Sequence, residues 1–257
     1  MIYLFLFEIT ARTKATLLYD MTNKRIIAAH NVHASVYPAS LTKKMTLYLL
    51  FEALRNKKVT LNTKMKISDY AEKQPPCRLP GLTAGEKITV KDAILGMIIK
   101  SCNGCSVVVA EHLTGSVPNF VNRMNATAKK LNLRNTNFTN PSGWHNPKQK
   151  TTAWDMVKLG CILYRTFPEY RHFFKVKKMI YKNNLVHTHN RIGNLYPGAI
   201  GIKTGYHVPS GFNLTAFCSG KRKGKPHELM SVMIGEDVAR IRDLKTCTLF
   251  RNFYKSR

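Results

Sequence analysis

The chain has 257 residues, with 41 lysines and arginines against 14 aspartates and glutamates, so its formal net charge is +27 at pH 7. This length is sufficient for one large domain or two small ones with a packed hydrophobic core. No stretch approaches the roughly 18 consecutive apolar residues that a membrane-spanning helix needs. The composition therefore predicts a packed, strongly basic domain and offers no candidate membrane helix.

The first predicted element is the apolar run Met1–Phe7, which has no positive charge before it. It is either a first strand or the remainder of a truncated secretory leader. The apolar runs Ala15–Tyr19 and Arg25–Ala29 flank a polar turn and predict a β-hairpin. Helical periodicity then dominates, and the predicted helices are Leu41–Leu54, Val90–Ile99, Cys105–Leu113, Val117–Leu131 and Thr152–Tyr164.

Strand patterns return near the end of the chain and are followed by one amphipathic helix. The predicted elements are strands Ala199–Tyr206, Phe212–Ser219 and Leu229–Ile234 and helix Val238–Tyr254. Strands at both ends predict an α/β (α+β) fold, with one antiparallel sheet built from both termini and an inserted helical subdomain. We expect a single domain over 1–257 without a second C-terminal domain. Residues 1–40 and 191–257 would form the sheet, residues 41–190 the helical part, and a cleft would lie between them.

The stretch from Tyr37 to Thr46 combines a serine and a lysine at the start of a strongly apolar helix. Ser40 and Lys43 are separated by three residues and therefore share one face of a helix. A lysine can take the proton of a serine hydroxyl only when it is neutral, which requires burial or a second cation nearby. The alternative is an ordinary buried helix whose first serine caps its N-terminus.

Two later fragments carry side chains that fit the same cleft. Lys100–Asn103 lies between two predicted helices, where a short loop can present a hydroxyl and an amide together. Gly201–Tyr206 lies in a predicted strand, and Lys203 is the second cation that the serine–lysine pair requires. Lys203 and Gly205 share one face of that strand, and a glycine there leaves room for a substrate backbone. The three fragments in this order are far more specific than any one of them.

With these three motifs the sequence resembles the penicillin-recognising serine acyl-transferases, which include the serine β-lactamases and DD-peptidases. It is most similar to the low-molecular-mass penicillin-binding proteins that act as D-alanyl-D-alanine carboxypeptidases. The resemblance runs from about Thr16 to Tyr254. Further matching stretches are Phe120-Val121 with Met124-Asn125, Asn140 to Gly143, Thr151 to Ala153 with Asp155-Met156, and Gly211 to Leu214.

The resemblance implies an acyl-serine cycle on peptidoglycan stem peptides, with β-lactam antibiotics as covalent inhibitors. Ser40 would attack the carbonyl of the terminal D-Ala-D-Ala bond while Lys43 accepts its proton. Ser101, helped by Lys203, would pass a proton to the departing D-alanine. Asn103 would hold Lys43 and the substrate amide.

The resemblance also implies how the substrate is bound. Lys203 and Thr204 would bind its terminal carboxylate, and its backbone would lie against Gly205. The backbone N–H groups of Ser40 and Tyr206 would form the oxyanion hole, whose donors typically contribute about two to three powers of ten in rate. The implied location is the periplasm or cell envelope.

Several alternatives remain open at this point. A β-lactamase would need an acid between the second and third motifs, and none of Glu111, Asp155 and Glu169 lies in a matching Glu-x-x-x-Asn context. Gly104 and Ile200 replace common aspartates of the family. Glu228 replaces a basic residue that often helps to bind the carboxylate, so that cross-linked peptides and endopeptidase activity are an alternative. A silent member that only binds muropeptides is another.

The remaining signals predict no further chemistry. The positive charge favours anionic envelope polymers or lipid headgroups as partners, whereas no nucleic-acid-binding motif is present. His187 and His189 have no further ligand at metal spacing, so we expect no metal and no cofactor. Cys102 and Cys105 overlap the second motif, and we expect the scattered cysteines to be unpaired.

Overall fold

The computed structural model describes residues 13–75 and 79–255 of the chain. The strands, in chain order from β1 to β9, are Ala15–Asp20, Arg25–His30, Lys64–Lys66, Lys87–Thr89, Lys178–Tyr181, Asn184–His187, Ala199–His207, Gly211–Arg222 and Lys225–Glu236. The α-helices, from α1 to α8, are Lys43–Arg55, Asp69–Glu72, Val90–Leu95, Asn103–Thr114, Val117–Lys130, Ala153–Thr166, Ile192–Leu195 and Ala239–Lys255. The 3₁₀ turns are Ala39–Thr42 and Pro168–Lys175, and Gly96–Lys100 is a π turn.

The main sheet has five antiparallel strands in the order β2-β1-β9-β8-β7. The N-terminal strand β1 pairs with β9, with Ala15 opposite Ile234 and Asp20 opposite Leu229. The first and last parts of the chain therefore build one sheet, as predicted, and the mainly helical segment is inserted between β2 and β7. In this sheet β7 lies at one edge and pairs on one side with β8.

Alternating side chains of the sheet enter two different cores, as the period-two pattern of a strand requires. On β9, Met230 and Val232 join the large core shared with the inserted helices. Leu229 and Met233 point to the other face and pack in a smaller core with residues of α8, including Phe250. Both faces of the sheet are therefore covered, and the cleft lies where the inserted helices meet β7.

Helix α1 runs through the centre of the large core, as its apolar sequence predicts. The unexpected member is Lys44, whose side chain is fully buried. Its ammonium donates to the backbone oxygen of Met156 at 2.7 Å and to Thr215 Oγ1 at 2.8 Å. Lys44 thereby ties α1 to α6 and to β8. Burial lowers the pKa of Lys44 to about 7.

The predicted helices and strands of the main sheet all form, with ends displaced by a few residues. Sequence analysis missed the short strand pair β3–β4 and the hairpin β5–β6, because strands of three or four residues carry too little alternation to recognise. The predicted first strand at Met1–Phe7 lies outside the described residues. Over residues 13–75 and 79–255, no helix is both long enough and apolar enough to cross a bilayer.

We expect the burial of Lys44 to make stability depend on pH. Its folded pKa of about 7 lies below the ordinary value of 10.5, so the unfolded chain binds more protons between these two pH values. The free energy of unfolding should rise with pH across this window, by about 1.4 kcal/mol per unit of pKa difference. Lys44→Met should flatten the rise, as measured by chemical denaturation at pH 7 and pH 9.

The control for this prediction is Lys130→Met, which removes an exposed lysine at the end of α5. It should leave the slope of unfolding free energy against pH unchanged. Equal slopes for wild type and Lys44→Met would contradict the account of Lys44.

Candidate active site

Ser40 lies in the 3₁₀ turn that leads into α1, at the mouth of the cleft. No side-chain capping hydrogen bond starts this turn, so Ser40 is not the N-cap that the simpler interpretation required. Its Oγ instead receives a hydrogen bond from Lys43 Nζ at 2.9 Å. The preceding residue, Ala39, has φ of 47°, a conformation that an L-residue adopts only when its surroundings enforce it. Pro38 and the start of α1 therefore hold the hydroxyl in a defined position.

Lys43 is fully buried, and its amine lies among oxygens from three parts of the chain. Besides Ser40 Oγ, it contacts Asn103 Oδ1 at 2.6 Å and the backbone oxygen of Ser142 at 2.7 Å. A neutral amine has two N–H bonds and one lone pair. A neutral Lys43 with its N–H bonds directed at Asn103 and Ser142 would have its lone pair towards the hydroxyl of Ser40. This arrangement suits Lys43 for accepting the serine proton.

The second motif, Lys100–Asn103, includes the turn before α4 and brings two further side chains to this cluster. Ser101 has φ of 58°, a second left-handed non-glycine residue in this small region. Such strained residues persist only where the surrounding structure determines them, and they concentrate at functional sites. The next turn places Asn103 at the start of α4, where its amide nitrogen donates to the backbone oxygen of Pro75. Its amide oxygen is thereby directed at Lys43.

The third motif completes the polar cluster from the edge strand β7. Lys203 is buried, and its Nζ donates to Ser101 Oγ at 2.9 Å and to the backbone oxygen of Thr204 at 2.8 Å. A Cβ added to Gly205 would lie 3.1 Å from the nitrogen of Ser40, so glycine lets β7 pack closely against the serine turn. The structure brings Ser40, Lys43, Ser101, Asn103 and Lys203 into one cluster, as the sequence predicts.

Tyr206 follows Gly205 on β7 and borders the cleft. Its side chain is 52% exposed and stacks on Phe212 with ring centroids 4.1 Å apart. Its backbone lies next to Gly205, which packs against the start of the Ser40 turn. The proximity of these two backbone segments is compatible with an oxyanion hole between Ser40 and Tyr206.

Sequence analysis missed the loop that supplies the third contact of Lys43. Asn140 Oδ1 accepts hydrogen bonds from the backbone nitrogens of Ser142, Gly143 and Trp144, which fixes the loop. Gly143 has φ of 85°, and an added Cβ would lie only 1.9 Å from the oxygen of Ala39. The sequence Asn140 to Gly143 belongs to the family resemblance, but nothing in its spacing indicated a contact with a lysine.

His189 is a second residue whose role the sequence did not indicate. Its Nε2 lies 2.9 Å from Thr204 Oγ1. Burial, together with the nearby positive charge of Lys203, lowers the pKa of His189 to about 4. The ring is therefore uncharged at neutral pH, and one hydrogen bond joins its Nε2 to Thr204 Oγ1. In the sequence, the spacing of His187 and His189 suggested only a possible metal site and did not indicate the contact with Thr204.

The structure changes the interpretation of the residues that depart from the family pattern. Glu228 lies on β9 opposite Ser219, whereas Leu214, the partner of Thr204, lies opposite Met233. Five residues of strand, about 17 Å, separate Glu228 from that position. The expectation that Glu228 occupies a carboxylate-binding position is therefore wrong.

The other two departures are explained by packing. An added Cβ at Gly104 would lie 2.4 Å from the oxygen of Ala71 and 2.6 Å from Leu82 Cδ2. The close approach of α2 therefore leaves no room for an aspartate at Gly104. The side chain of Ile200 packs against the large hydrophobic core.

The expectation of unpaired cysteines is confirmed for the part of the chain that the structure describes. Its five cysteines are all free, and they are Cys102, Cys105, Cys161, Cys218 and Cys247. Cys102 Sγ accepts a hydrogen bond from the backbone nitrogen of Cys105 at 3.2 Å, so it caps α4. The second motif thus has a thiol cap instead of a disulfide.

The fold and the buried serine–lysine cluster define the class of active-site serine acyl-transferases. A profile of the D-alanyl-D-alanine carboxypeptidase family matches residues 7–237, and the chain belongs to this family. It is 33% identical over 255 residues to the D-alanyl-D-alanine carboxypeptidase DacA of Haemophilus influenzae. That alignment covers 96% of this chain and 63% of the relative, so the chain spans less than two thirds of the relative's length.

Solved structures show the same similarity. The D-alanyl-D-alanine carboxypeptidase DacD of Francisella tularensis matches with a TM-score of 0.87 and 25% identity, covering 93% of this chain and 69% of that one. Penicillin-binding protein 5 of Haemophilus influenzae matches with a TM-score of 0.84 and 30% identity, covering 93% and 70%. These matches confirm the predicted fold class and family.

We expect Gly143→Ala to disturb the site through the Asn140 loop. The added methyl group would push this loop away from Ala39 and lengthen the contact between Ser142 and Lys43. Acylation by penicillin, followed by mass spectrometry over time, should slow by about tenfold, because a 1 Å misplacement in a reacting cluster costs up to about 100-fold.

The matched control is Gly115→Ala at the end of α4. Gly115 has a similar φ of 79° but meets no atom within 4 Å, so this variant has the backbone strain without displacing the loop. Equal acylation rates for Gly143→Ala and Gly115→Ala would show that the loop does not position Lys43.

Proposed function

We propose that this protein is a serine-type D-alanyl-D-alanine carboxypeptidase that removes the terminal D-alanine of peptidoglycan stem peptides. One observation carries the proposal. The amine of Lys43 contacts the hydroxyl of Ser40 while bound to Asn103, and a second lysine, Lys203, contacts the hydroxyl of Ser101. Two serine–lysine pairs side by side provide a nucleophile with its base and a separate route for a proton.

In the acylation step, Ser40 Oγ attacks the carbonyl carbon of the penultimate D-alanine and transfers its proton to Lys43. Negative charge develops on the carbonyl oxygen, and we assign its stabilisation to the backbone N–H groups of Ser40 and Tyr206. Asn103 and Ser142 keep the amine of Lys43 in place during this transfer. The tetrahedral intermediate then collapses as the C–N bond breaks.

The departing amine of D-alanine needs a proton when this bond breaks. Ser101 Oγ accepts a hydrogen bond from Lys203 Nζ, which orients its hydroxyl, so Ser101 can donate its proton to the leaving group and receive in its place the proton that Lys43 took from Ser40. Lys203 also provides positive charge for the terminal carboxylate, together with the hydroxyl of Thr204. Water then hydrolyses the ester on Ser40 and releases the shortened peptide.

The β-lactamase alternative requires an acid that activates water for rapid deacylation. The three acids between the second and third motifs are all engaged elsewhere. Glu111 accepts from Ser68, Asp155 from the nitrogen of Asn135, and Glu169 pairs with Arg55. Penicillin should therefore acylate Ser40 and remain bound, in agreement with the name of the Haemophilus influenzae penicillin-binding protein. A silent muropeptide-binding protein would not need both serine–lysine pairs.

Because peptidoglycan is located in the cell envelope, the proposed activity requires the protein to act there. The net charge of +27 favours attraction to anionic envelope polymers or lipid headgroups there. We therefore propose that the protein is exported.

We expect Ser40→Ala to abolish both reactions, because it removes the nucleophile and leaves Lys43 in place. Purified wild type, Ser40→Ala and the exposed control Ser35→Ala would be incubated with penicillin and examined by intact-mass spectrometry. The same proteins would be incubated with a pentapeptide ending in D-Ala-D-Ala, and released D-alanine measured. Wild type and Ser35→Ala should gain the mass of penicillin and release D-alanine.

Folding of each variant would be checked by thermal unfolding. If folded wild type gains no penicillin and releases no D-alanine, the proposed function is wrong. An adduct on Ser40→Ala would place the nucleophile elsewhere.

We expect His189 to orient the hydroxyl of Thr204 for the carboxylate. A carboxylate only accepts hydrogen bonds, so Thr204 must donate its single hydrogen to the substrate and accept one from His189. Because His189 is neutral, this requires hydrogen on Nε2. His189→Ala should raise KM for a peptide ending in D-Ala-D-Ala by about tenfold, whereas His189→Gln, which keeps a donor at this position, should remain close to wild type.

The discriminating measurement uses the same peptide with a C-terminal carboxamide. His189→Ala and wild type should turn over this peptide equally, since the carboxylate is absent. An equal loss on both peptides would mean that His189 only supports the structure.

A further inference from the structure

Two thiols at the start of α4, those of Cys102 and Cys105, have no part in the proposed mechanism. Cys102 lies between Ser101 and Asn103, whose side chains contact the two lysines of the cluster. It is the residue immediately before α4, and Cys105 lies in the first turn of that helix. A bond between these two thiols would therefore act directly on the segment that carries two side chains of the cluster.

The side chains of Cys102 and Cys105 are already in contact. Cys102 Sγ accepts a hydrogen bond from the backbone nitrogen of Cys105 at 3.2 Å, and a further hydrogen bond joins the two thiols. Residues three apart on a helix have Cβ atoms about 5–6 Å apart, whereas the Cβ atoms of a disulfide are about 3.5–4.5 Å apart. A local movement of the order of 1–2 Å is therefore sufficient to bring the two sulfurs to bonding distance.

The two thiols differ in acidity, as the members of a reacting pair should. The hydrogen bond from the thiol of Cys105 lowers the pKa of Cys102 to about 7, and the positive charge of Lys43 acts in the same direction. The same hydrogen bond, together with burial, raises the pKa of Cys105. A large fraction of Cys102 is therefore thiolate at neutral pH, while Cys105 keeps its proton. The thiolate is the form that attacks an oxidant, and a neighbouring thiol can resolve the product.

The other cysteines that the structure describes lack this activation. Burial raises the pKa of Cys161 and of Cys218 to about 12, and it also raises the pKa of Cys247. These three thiols stay protonated at neutral pH and react slowly with an oxidant. Among the described cysteines, the activated pair is therefore the one in the second motif.

A small oxidant can approach Cys102 through a cavity. The side chain of Cys102 has almost no accessible surface, but it lies in the wall of a cavity of about 230 Å³. Gly104 and Leu79 line the same cavity. A water molecule takes up about 30 Å³ of liquid volume, and hydrogen peroxide is little larger, so the cavity has room for it.

We propose that Cys102 and Cys105 form a redox modification site, at which a small hydroperoxide converts the two thiols into a disulfide that slows acylation of Ser40. The thiolate of Cys102 attacks one oxygen of hydrogen peroxide, the O–O bond breaks, and a sulfenic acid and one water are formed. The thiol of Cys105 then attacks the sulfur of Cys102, the S–O bond breaks, and a second water leaves. Two thiols are oxidised, and one peroxide is reduced to two waters.

The disulfide acts on the cluster through the backbone of the second motif. The sulfur of Cys105 is packed against Gly96, where an added Cβ would lie 2.7 Å from it. Cys105 is also held in the helix, so the movement falls mainly on Cys102. This movement displaces the neighbouring Ser101 and Asn103 from the two lysines. A misplacement of about 1 Å in a reacting cluster costs up to about 100-fold in rate.

The test compares reduced wild type with wild type that has been treated with hydrogen peroxide and then freed of it. Intact-mass spectrometry should show the loss of two hydrogens, and proteolytic mapping should place the disulfide between Cys102 and Cys105. The rate of acylation by penicillin should fall by about tenfold or more. Dithiothreitol should restore the rate, which separates the disulfide from oxidised methionine, since that product is restored by methionine sulfoxide reductases. Thermal unfolding checks that the treated protein is folded.

Two variants with one cysteine removed make the test specific. Cys105→Ala removes the resolving thiol and the hydrogen bond that activates Cys102. Before treatment it should be acylated within about twofold of the wild-type rate, and after treatment it should keep that rate and contain no disulfide. The matched control Cys218→Ala removes an equally buried thiol from β8. It should respond to peroxide as wild type does.

Three results would overturn the proposal. The first is an unchanged acylation rate in peroxide-treated wild type. The second is a disulfide that maps to a different pair, such as Cys77 with Cys102. The third is an equal loss of rate in Cys105→Ala, or a loss that dithiothreitol does not reverse, because either would assign the effect to another oxidation.

The chemistry of the two thiols is independent of the proposed function, whereas its effect on acylation rests on that function. If the proposed function is wrong, reduced wild type forms no penicillin adduct. If only the redox site is wrong, the adduct forms at the same rate before and after treatment, or the loss of rate has one of the other origins.

Discussion

The structure depends on one constraint, which is that the buried amine of Lys43 must be surrounded by oxygens at hydrogen-bond distance. A buried amine without partners is strongly unfavourable, so the elements that supply those oxygens must be fixed. Ser40 comes from the turn before α1, Asn103 from the start of α4, and Ser142 from a loop held by Asn140. The same contacts that satisfy the lysine hold its amine against the hydroxyl of Ser40. The positions of these three segments are therefore needed both to stabilise the buried amine and to bring it to the serine.

The sheet contributes the second half of the site by presenting an edge strand. The strand β7 lies at one edge of the sheet, and its Lys203 reaches across to Ser101. Gly205 lets the strand approach the turn of Ser40, so that the two serine–lysine pairs lie side by side.

The family resemblance predicted much of this site, and the limits of that prediction have physical causes. Positions within a motif are close in the chain, so the reach of Lys43 to Ser40 follows from helix geometry alone. The roles of Ser142 and His189 depend on contacts between segments distant in the chain, for which spacing gives no signal. The prediction for Glu228 was wrong because the sequence does not give the register of the strands. In the structure, Glu228 lies about 17 Å along β9 from Met233, the residue that is level with Thr204.

The sequence by itself determined the secondary-structure types, the sheet from both ends of the chain and the members of the serine–lysine cluster, because periodicity and short motifs can be recognised in the sequence. The tertiary structure alone decided which backbone oxygen completes the contacts of Lys43 and how His189 meets Thr204. It also decided that Lys44, an apparently ordinary charge in the sequence, is a fully buried link between helices and sheet. These features arise where distant segments pack together, and only packing fixes distances between them.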